Sequence, residues 1–171
     1  MRTALGFFFG LSFSVAAFGS QSYVLTIDDA HNTISAGMSI ERVVALRHQY
    51  SGRFLWVHRG DKTWMIRDPQ WLDRAVAFFS EDMALAPEQE AVGREEEELD
   101  RQEDKLEDRE DDASRAQLDE IHRRQEEVSR RQEELEERQE KLEQEAETKL
   151  WSLIDDAIKQ GVARALARPR Q

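Results

Sequence analysis

The residue types that carry most enzymatic chemistry are sparse in this chain and poorly spaced. The four histidines, His31, His48, His58 and His122, are scattered along it. No two show the His-x3-His spacing that turns a pair of imidazoles from one helix face toward a metal. Cysteine is absent, which excludes thiol nucleophiles, thiolate ligands, disulfides and a lipoprotein-type cysteine anchor. Asp28-Asp29 beside His31 could approach a metal ion, but a solvated turn is the simpler reading. The serines lack the Gly-x-Ser-x-Gly elbow that exposes a nucleophile, and no glycine-rich loop is present to cradle phosphate. Carboxylates abound, yet most lie in helical repeats, and a helix cannot wrap several of them around one calcium or magnesium ion as a loop does. The expectation is a protein that is not an enzyme, with no catalytic residues, no cofactor and no metal.

The elements that would position any site are sharply partitioned. The 171 residues carry a net charge of −12. The stretch 94–147 alone holds 24 acidic and 11 basic residues, a net of −13, so the rest of the chain sums to about +1. That stretch contains no aromatic residue, and all four tryptophans, Trp56, Trp64, Trp71 and Trp151, lie outside it. An acidic surface of this kind repels phosphate backbones, so no nucleic-acid partner is expected.

Residues 1–19 form a secretory signal. Met1-Arg2 give a positive start, Ala4 to Phe18 are apolar, and small residues permit cleavage after Gly19 or after Ala17. The apolar run falls short of the ~20 residues that a spanning helix needs. The expected location is periplasmic or secreted.

Residues 20–86 suit a small α+β module of strand, helix, β-hairpin and helix. Tyr23 to Ile27 is rich in β-branched and aromatic residues and predicts a strand. Ser39 can cap a helix whose apolar face is Ile40, Val43 and Val44. Two apolar-rich runs flank Gly60-Asp61, a pair suited to a two-residue type II′ turn. That register sets Val57 opposite Trp64 and Leu55 opposite Ile66 on one face, and Trp56 opposite Met65 on the other. Large side chains on both faces imply either packing on two sides or an exposed aromatic surface. In the second case Phe54, Trp56 and Met65 would be the partner-binding residues. Asp68-Pro69 then opens a helix, with Asp as cap and Pro at the first helical position. Its stripe is Leu72, Val76, Phe79 and Met83.

Residues 87–148 predict a long acidic helix, about 85 Å from 94 to 150 if unbroken. Ile121, Val128, Leu135 and Leu142 recur every seven residues, with Gln125, Gln132 and Gln139 at the intervening seam positions. Leu99, Leu106 and Ala113 keep the same spacing, but the 15-residue step from Leu106 to Ile121 breaks the phase and demands an insertion. Two alternatives stand open. One is a weak coiled coil between copies. The other is a single helix held by nine i→i+4 acid-to-base pairs, together about 2–4 kcal/mol. Residues 149–171 predict a short amphipathic helix with a basic tail. Leu150, Ile154 and Ile158 are its docking or oligomerisation residues, and Ala165 and Leu166 lie on the same face. Peripheral contact with an anionic membrane is the alternative.

The stretch Gly52-Arg53-Phe54-Leu55-Trp56-Val57-His58-Arg59-Gly60-Asp61-Lys62-Thr63-Trp64-Met65-Ile66-Arg67-Asp68-Pro69 resembles a module of uncharacterised bacterial exported proteins. In these a Leu-Trp-x-x-Arg hairpin leads to Ile-Arg-Asp-Pro and Gln-rich heptads. Leu153 to Ala163 is similar to their ending. Some of them accompany BlaR-type membrane metallopeptidases, and the resemblance thereby implies a link to envelope signalling. It implies no catalytic residues, and this chain departs from it in having Glu/Arg-rich heptads. The function expected is that of a non-enzymatic periplasmic interaction or scaffold protein, binding a protein partner or itself. A holdase-type chaperone is the alternative, and an enzyme with an unrecognised site comes third.

Overall fold

The computed structural model describes residues 21–28, 32–107 and 112–166. The expected signal sequence, Asp29, His31 and the Arg168-Pro169-Arg170 ending lie outside them. The protein is of the α+β kind, with an antiparallel sheet in its N-terminal part and a long C-terminal helix. Two compact units are present. One joins the chain up to Ala77 with the stretch from Leu150, and the other is Phe78–Lys149. The C-terminal stretch therefore belongs with the aromatic module.

In the first unit, strands β1 (Gln21–Thr26) and β2 (Thr33–Ala36) are followed by α1 (Ile40–Gln49). Then come β3 (Leu55–Arg59), β4 (Lys62–Ile66) and α2 (Pro69–Phe78). All strand pairings are antiparallel, and the spatial order is β2-β1-β3-β4-β5, where β5 is Arg164–Ala165. The β3–β4 register sets Val57 opposite Trp64 and Leu55 opposite Ile66, as the turn residues predict. Gly60 holds a positive φ of 62°, a conformation that costs glycine little. Thr26, the last residue of β1, extends the pairing past β3 to Phe54. Its hydroxyl donates to the Phe54 carbonyl at 3.1 Å and accepts from the Phe54 N–H at 2.6 Å.

One sheet face carries Val24, Trp56 and Met65, buried with Phe54 and with Leu46 of α1; Met38, Val43 and Tyr50 pack around them. On the other face Tyr23 meets Trp151 edge-on, with ring centroids 5.8 Å apart. Leu150, Leu153, Ile154 and Ala157 from the end of helix α5 are buried in the same unit, as are Leu72 and Ala75 of α2. The sheet is thus packed on both sides, which settles the choice that the sequence leaves open.

Local signals behave unevenly. Asp68 caps α2 as expected, its carboxylate accepting from the Gln70 and Trp71 amides at 3.0 and 3.3 Å. Ser39 occupies the N-cap of α1 but makes no side-chain bond to the helix amides. Glu41 has its carboxyl held below the usual range first by its own backbone amide and then by the Ser39 hydroxyl. The stripe expected to run to Met83 stops early, because α2 ends at Phe78 and the following short helix α3 (Ser80–Met83) leaves Met83 exposed.

In the second unit, α3 leads to α4 (Ala86–Glu107) and α5 (Asp112–Lys159), the latter belonging to this unit as far as Lys149. The expected single helix over 87–148 is not formed. α4 and α5 instead pair antiparallel: Gln89 bonds Gln139, Glu95 meets Arg131, and Glu103 meets His122. Leu85, Val92, Leu99, Ile121, Val128 and Leu135 are buried between them, with Leu106 and Leu142 packed against this row. The magnitudes explain the outcome. Six buried aliphatic side chains contribute about 1.5–3 kcal/mol each, whereas an exposed i→i+4 pair contributes about 0.2–0.5 kcal/mol. The phase break between Leu106 and Ile121 falls where the chain reverses, so the seam residues expected to meet a second copy are used within one chain.

Candidate functional site

Among the described residues no group of three His, Asp or Glu side chains is placed to hold a metal ion. Asp28 serves the β1–β2 connection, accepting from the Asn32 backbone amide at 3.1 Å and from its side-chain amide at 2.7 Å. His58 stacks on Trp56 and its Nδ1 lies 3.2 Å from the Thr63 hydroxyl. His122 lies with Nε2 3.0 Å from Glu103 on an exposed surface. Three features remain that could recognise another molecule: the aromatic sheet, the acidic helix pair and the β4 side of the sheet, which only the two-residue strand β5 covers among the described residues.

The aromatic set is not a free surface. Phe54, Trp56 and Met65, expected as partner-binding residues, are 1%, 4% and 5% exposed. The physical reason is that α1 covers the Trp56 face with Leu46, Val43 and Tyr50, and Leu166 closes it further. Trp64, on the opposite face, is only partly buried. That face is fastened by Trp151. The Arg59 guanidinium lies 4.8 Å above its ring, and Arg59 donates to Asp155 at 2.6 Å. This clamp explains why Leu150 and Ile154 are fully buried, while Ile158, one turn further, is only partly so. Of the three residues expected to dock, Leu150 and Ile154 are buried in the unit that holds the sheet.

The helix pair combines one apolar row with polar layers. Gln139 accepts from Gln89 and donates to Glu143 at 2.9 Å. Gln125 donates to Glu103 at 2.7 Å and to Asp100 at 3.2 Å. The Gln125 amide, then His122, hold the Glu103 carboxyl below the usual range. Arg131 spans the two helices to Glu95 at 2.7 Å. Intrahelical pairs 97–101, 120–124 and 145–149 also form. Asp82 on α3 is 7% exposed, and its Oδ1 has no hydrogen-bond partner. Burial pushes its pKa up. Burial also raises that of Glu143, with the Asp82, Glu147 and Glu140 charges adding to the effect. Beside Gly93 the two helices leave a groove of about 220 Å³, lined in part by Val92, Gln132 and Gln139. Nothing lies within 4 Å of where a Gly93 Cβ would stand.

The third feature was missed in the sequence. α5 ends at Lys159, and Gly161 adopts a φ of 73°. The Val162 N–H donates to the Ala157 carbonyl at 2.9 Å and the Gly161 N–H to Ile158 at 3.2 Å, the paired bonds that terminate a helix at a left-handed glycine. The chain then runs along β4, pairing Ala165 with Trp64 and Arg164 with Met65. The Leu166 N–H donates to the Thr63 carbonyl at 2.8 Å. The described part of the expected C-terminal helix, residues 149–166, is therefore the end of α5 followed by a strand, and Ala165 and Leu166 do not continue the α5 face. The available signal was Gly161, a residue favoured just past a helix end.

No described helix is long and apolar enough to cross a membrane. No family model, curated protein or solved structure matches this chain, so the reading of its function rests on its own residues.

Proposed function

We propose that this protein is a non-enzymatic interaction protein, exported to the periplasm or secreted, that binds a protein partner through its surface. The observation that carries the proposal is how the acidic stretch is used. Its apolar residues are consumed between α4 and α5, which leaves the excess of carboxylates on the outer faces of the pair. Such a field favours basic protein surfaces and accelerates encounter with them. The buried aromatic module serves as the folded base, and the absence of chemistry-bearing motifs in the sequence fits a binding role. The link to envelope signalling implied by the resemblance belongs to the same proposal. Crosslinking of the full chain in periplasmic extract, followed by mass spectrometry, tests it. A few stoichiometric partners support the reading. Broad suppression of aggregation of unrelated unfolded proteins would replace it with the holdase alternative. Turnover abolished by one polar substitution would replace it with an enzyme.

A further inference from the structure

Among the described residues, the outer edge of β4 is covered by a short segment. β4 has five residues, and its partner strand β5 has two, both with exposed side chains. Beyond β5 itself, the described contacts are the Leu166 N–H bonded to the Thr63 carbonyl and the partly buried Leu166 side chain. That side chain packs against the cluster of Val24, Leu46, Phe54, Trp56 and Met65. The segment leaves α5 through Gly161, whose left-handed backbone ends the helix just past the buried Ala157 and turns the chain toward the strand.

We propose that the β4 edge is a docking site for an extended peptide of a partner protein, and that residues 164–166 occupy it in cis as a displaceable latch. Main-chain pairing supplies the affinity in strand addition, and side-chain positions supply the selectivity. The latch itself displays the required chemistry: an extended backbone with a small residue opposite Trp64, followed by a branched apolar residue that enters the Leu166 position. A second copy is a poor occupant. Only about 10 Å of extended chain separates Gly161 from Arg164, too short to reach another molecule while the end of α5 stays buried in its own unit. The tethered latch acts at an effective concentration of order millimolar, so a free peptide at micromolar concentration finds the edge closed. This inference rests on the interaction reading above but specifies its face.

The test uses the full chain and a fluorescent peptide with the sequence of residues 160–166, read by anisotropy. Leu166→Asp in the protein should free the edge and tighten peptide binding at least about tenfold over the unmodified chain, with Leu166→Ala giving a smaller gain. The same peptide carrying Leu166→Asp should not bind. Equal binding to all three proteins, or none to either variant, overturns the proposal, while partners captured by crosslinking would leave the interaction reading intact. Loss of the cooperative thermal transition in both variants also overturns it, because the segment would then be integral to the fold. Dimerisation of a variant in sedimentation would assign the edge to a second copy instead.

Discussion

Trp151→Ala should loosen the end of α5 from the sheet more than any other single truncation outside the strands. Removing a buried tryptophan costs about 3–5 kcal/mol, and partial exposure of Trp151 places it near the lower figure. Within that total, the edge contact with Tyr23 accounts for about 0.5–1.5 kcal/mol. The stacked Arg59 adds about 0.5–1 kcal/mol, the modest end because its side chain is 30% exposed. The Arg59–Asp155 pair is itself half-open to water and contributes at most about 1 kcal/mol. A loss of about 3 kcal/mol lowers the melting temperature of a unit this size by roughly 12–24 °C. All four tryptophans lie in the first unit, so near-ultraviolet circular dichroism follows that unit through the three that remain. Ellipticity at 222 nm is dominated by the helices. The near-ultraviolet transition should move further than the 222 nm one. A double-mutant cycle of Arg59→Met with Trp151→Leu should return a coupling of about 0.5–1 kcal/mol. A total loss below about 1 kcal/mol, or no coupling, would refute the clamp.

Other expectations follow from the second unit and from export. Gly93→Ala should stabilise the helix pair by about 1 kcal/mol in urea unfolding, because glycine is poor inside a helix and the added Cβ meets open space. Leu135→Ala should cost about 2–5 kcal/mol at 222 nm while leaving the near-ultraviolet signal nearly intact; equal loss in both would show the two units melting together. Asp82 and Glu143 have folded pKa values above their ordinary ones, so the folded pair holds protons more tightly than the unfolded chain. Their contribution therefore improves as pH falls from above the raised values toward the usual carboxylate range. Asp82→Asn should raise the neutral-pH melting temperature and flatten its rise as pH falls toward the usual carboxylate range, and an unchanged slope would dispose of the carboxyl pair as its source. Phe8→Arg should block export, since a charge in the apolar run costs about 2.5–3.5 kcal/mol on insertion scales; a periplasmic product with a normal N-terminus would contradict the signal assignment.

Legibility followed the strength of the local pattern. The hairpin was readable because Gly60-Asp61 fixes a register and its flanks are long and apolar. Asp68-Pro69 was readable because capping is local chemistry. Strand β2, Thr-Ile-Ser-Ala, has no alternation to announce it and owes its form to pairing with β1. The helix pair was half visible. The seven-residue spacing was plain, yet Leu85 and Val92 belong to the same row as Leu99 and Leu106, and the phase break at Ile121 marked a reversal rather than an insertion in one rod. The aromatic residues misled most. Amphipathic counting cannot say which face of a hairpin a distant helix will cover, and here α1 and α5 cover one each. Among candidate binding features, the β4 edge depended on a two-residue strand almost a hundred positions away, beyond the reach of any local pattern.

The sheet is closed by residues from opposite ends of the chain, and this sets an order of events during synthesis. β1 to β4 emerge early, but Trp151, Ile154 and Arg164–Ala165 follow only after the whole of residues 78–149. At about 5–20 residues per second that delay lasts several seconds. Throughout it Tyr23 lacks its Trp151 contact and the outer edge of β4 has no strand beside it. A nascent chain in this state presents an aromatic sheet with an open hydrogen-bonding edge, a template for aggregation. If the chain is threaded unfolded across a membrane, the same interval recurs on the far side, where the first half must wait for the last few turns of α5 to arrive.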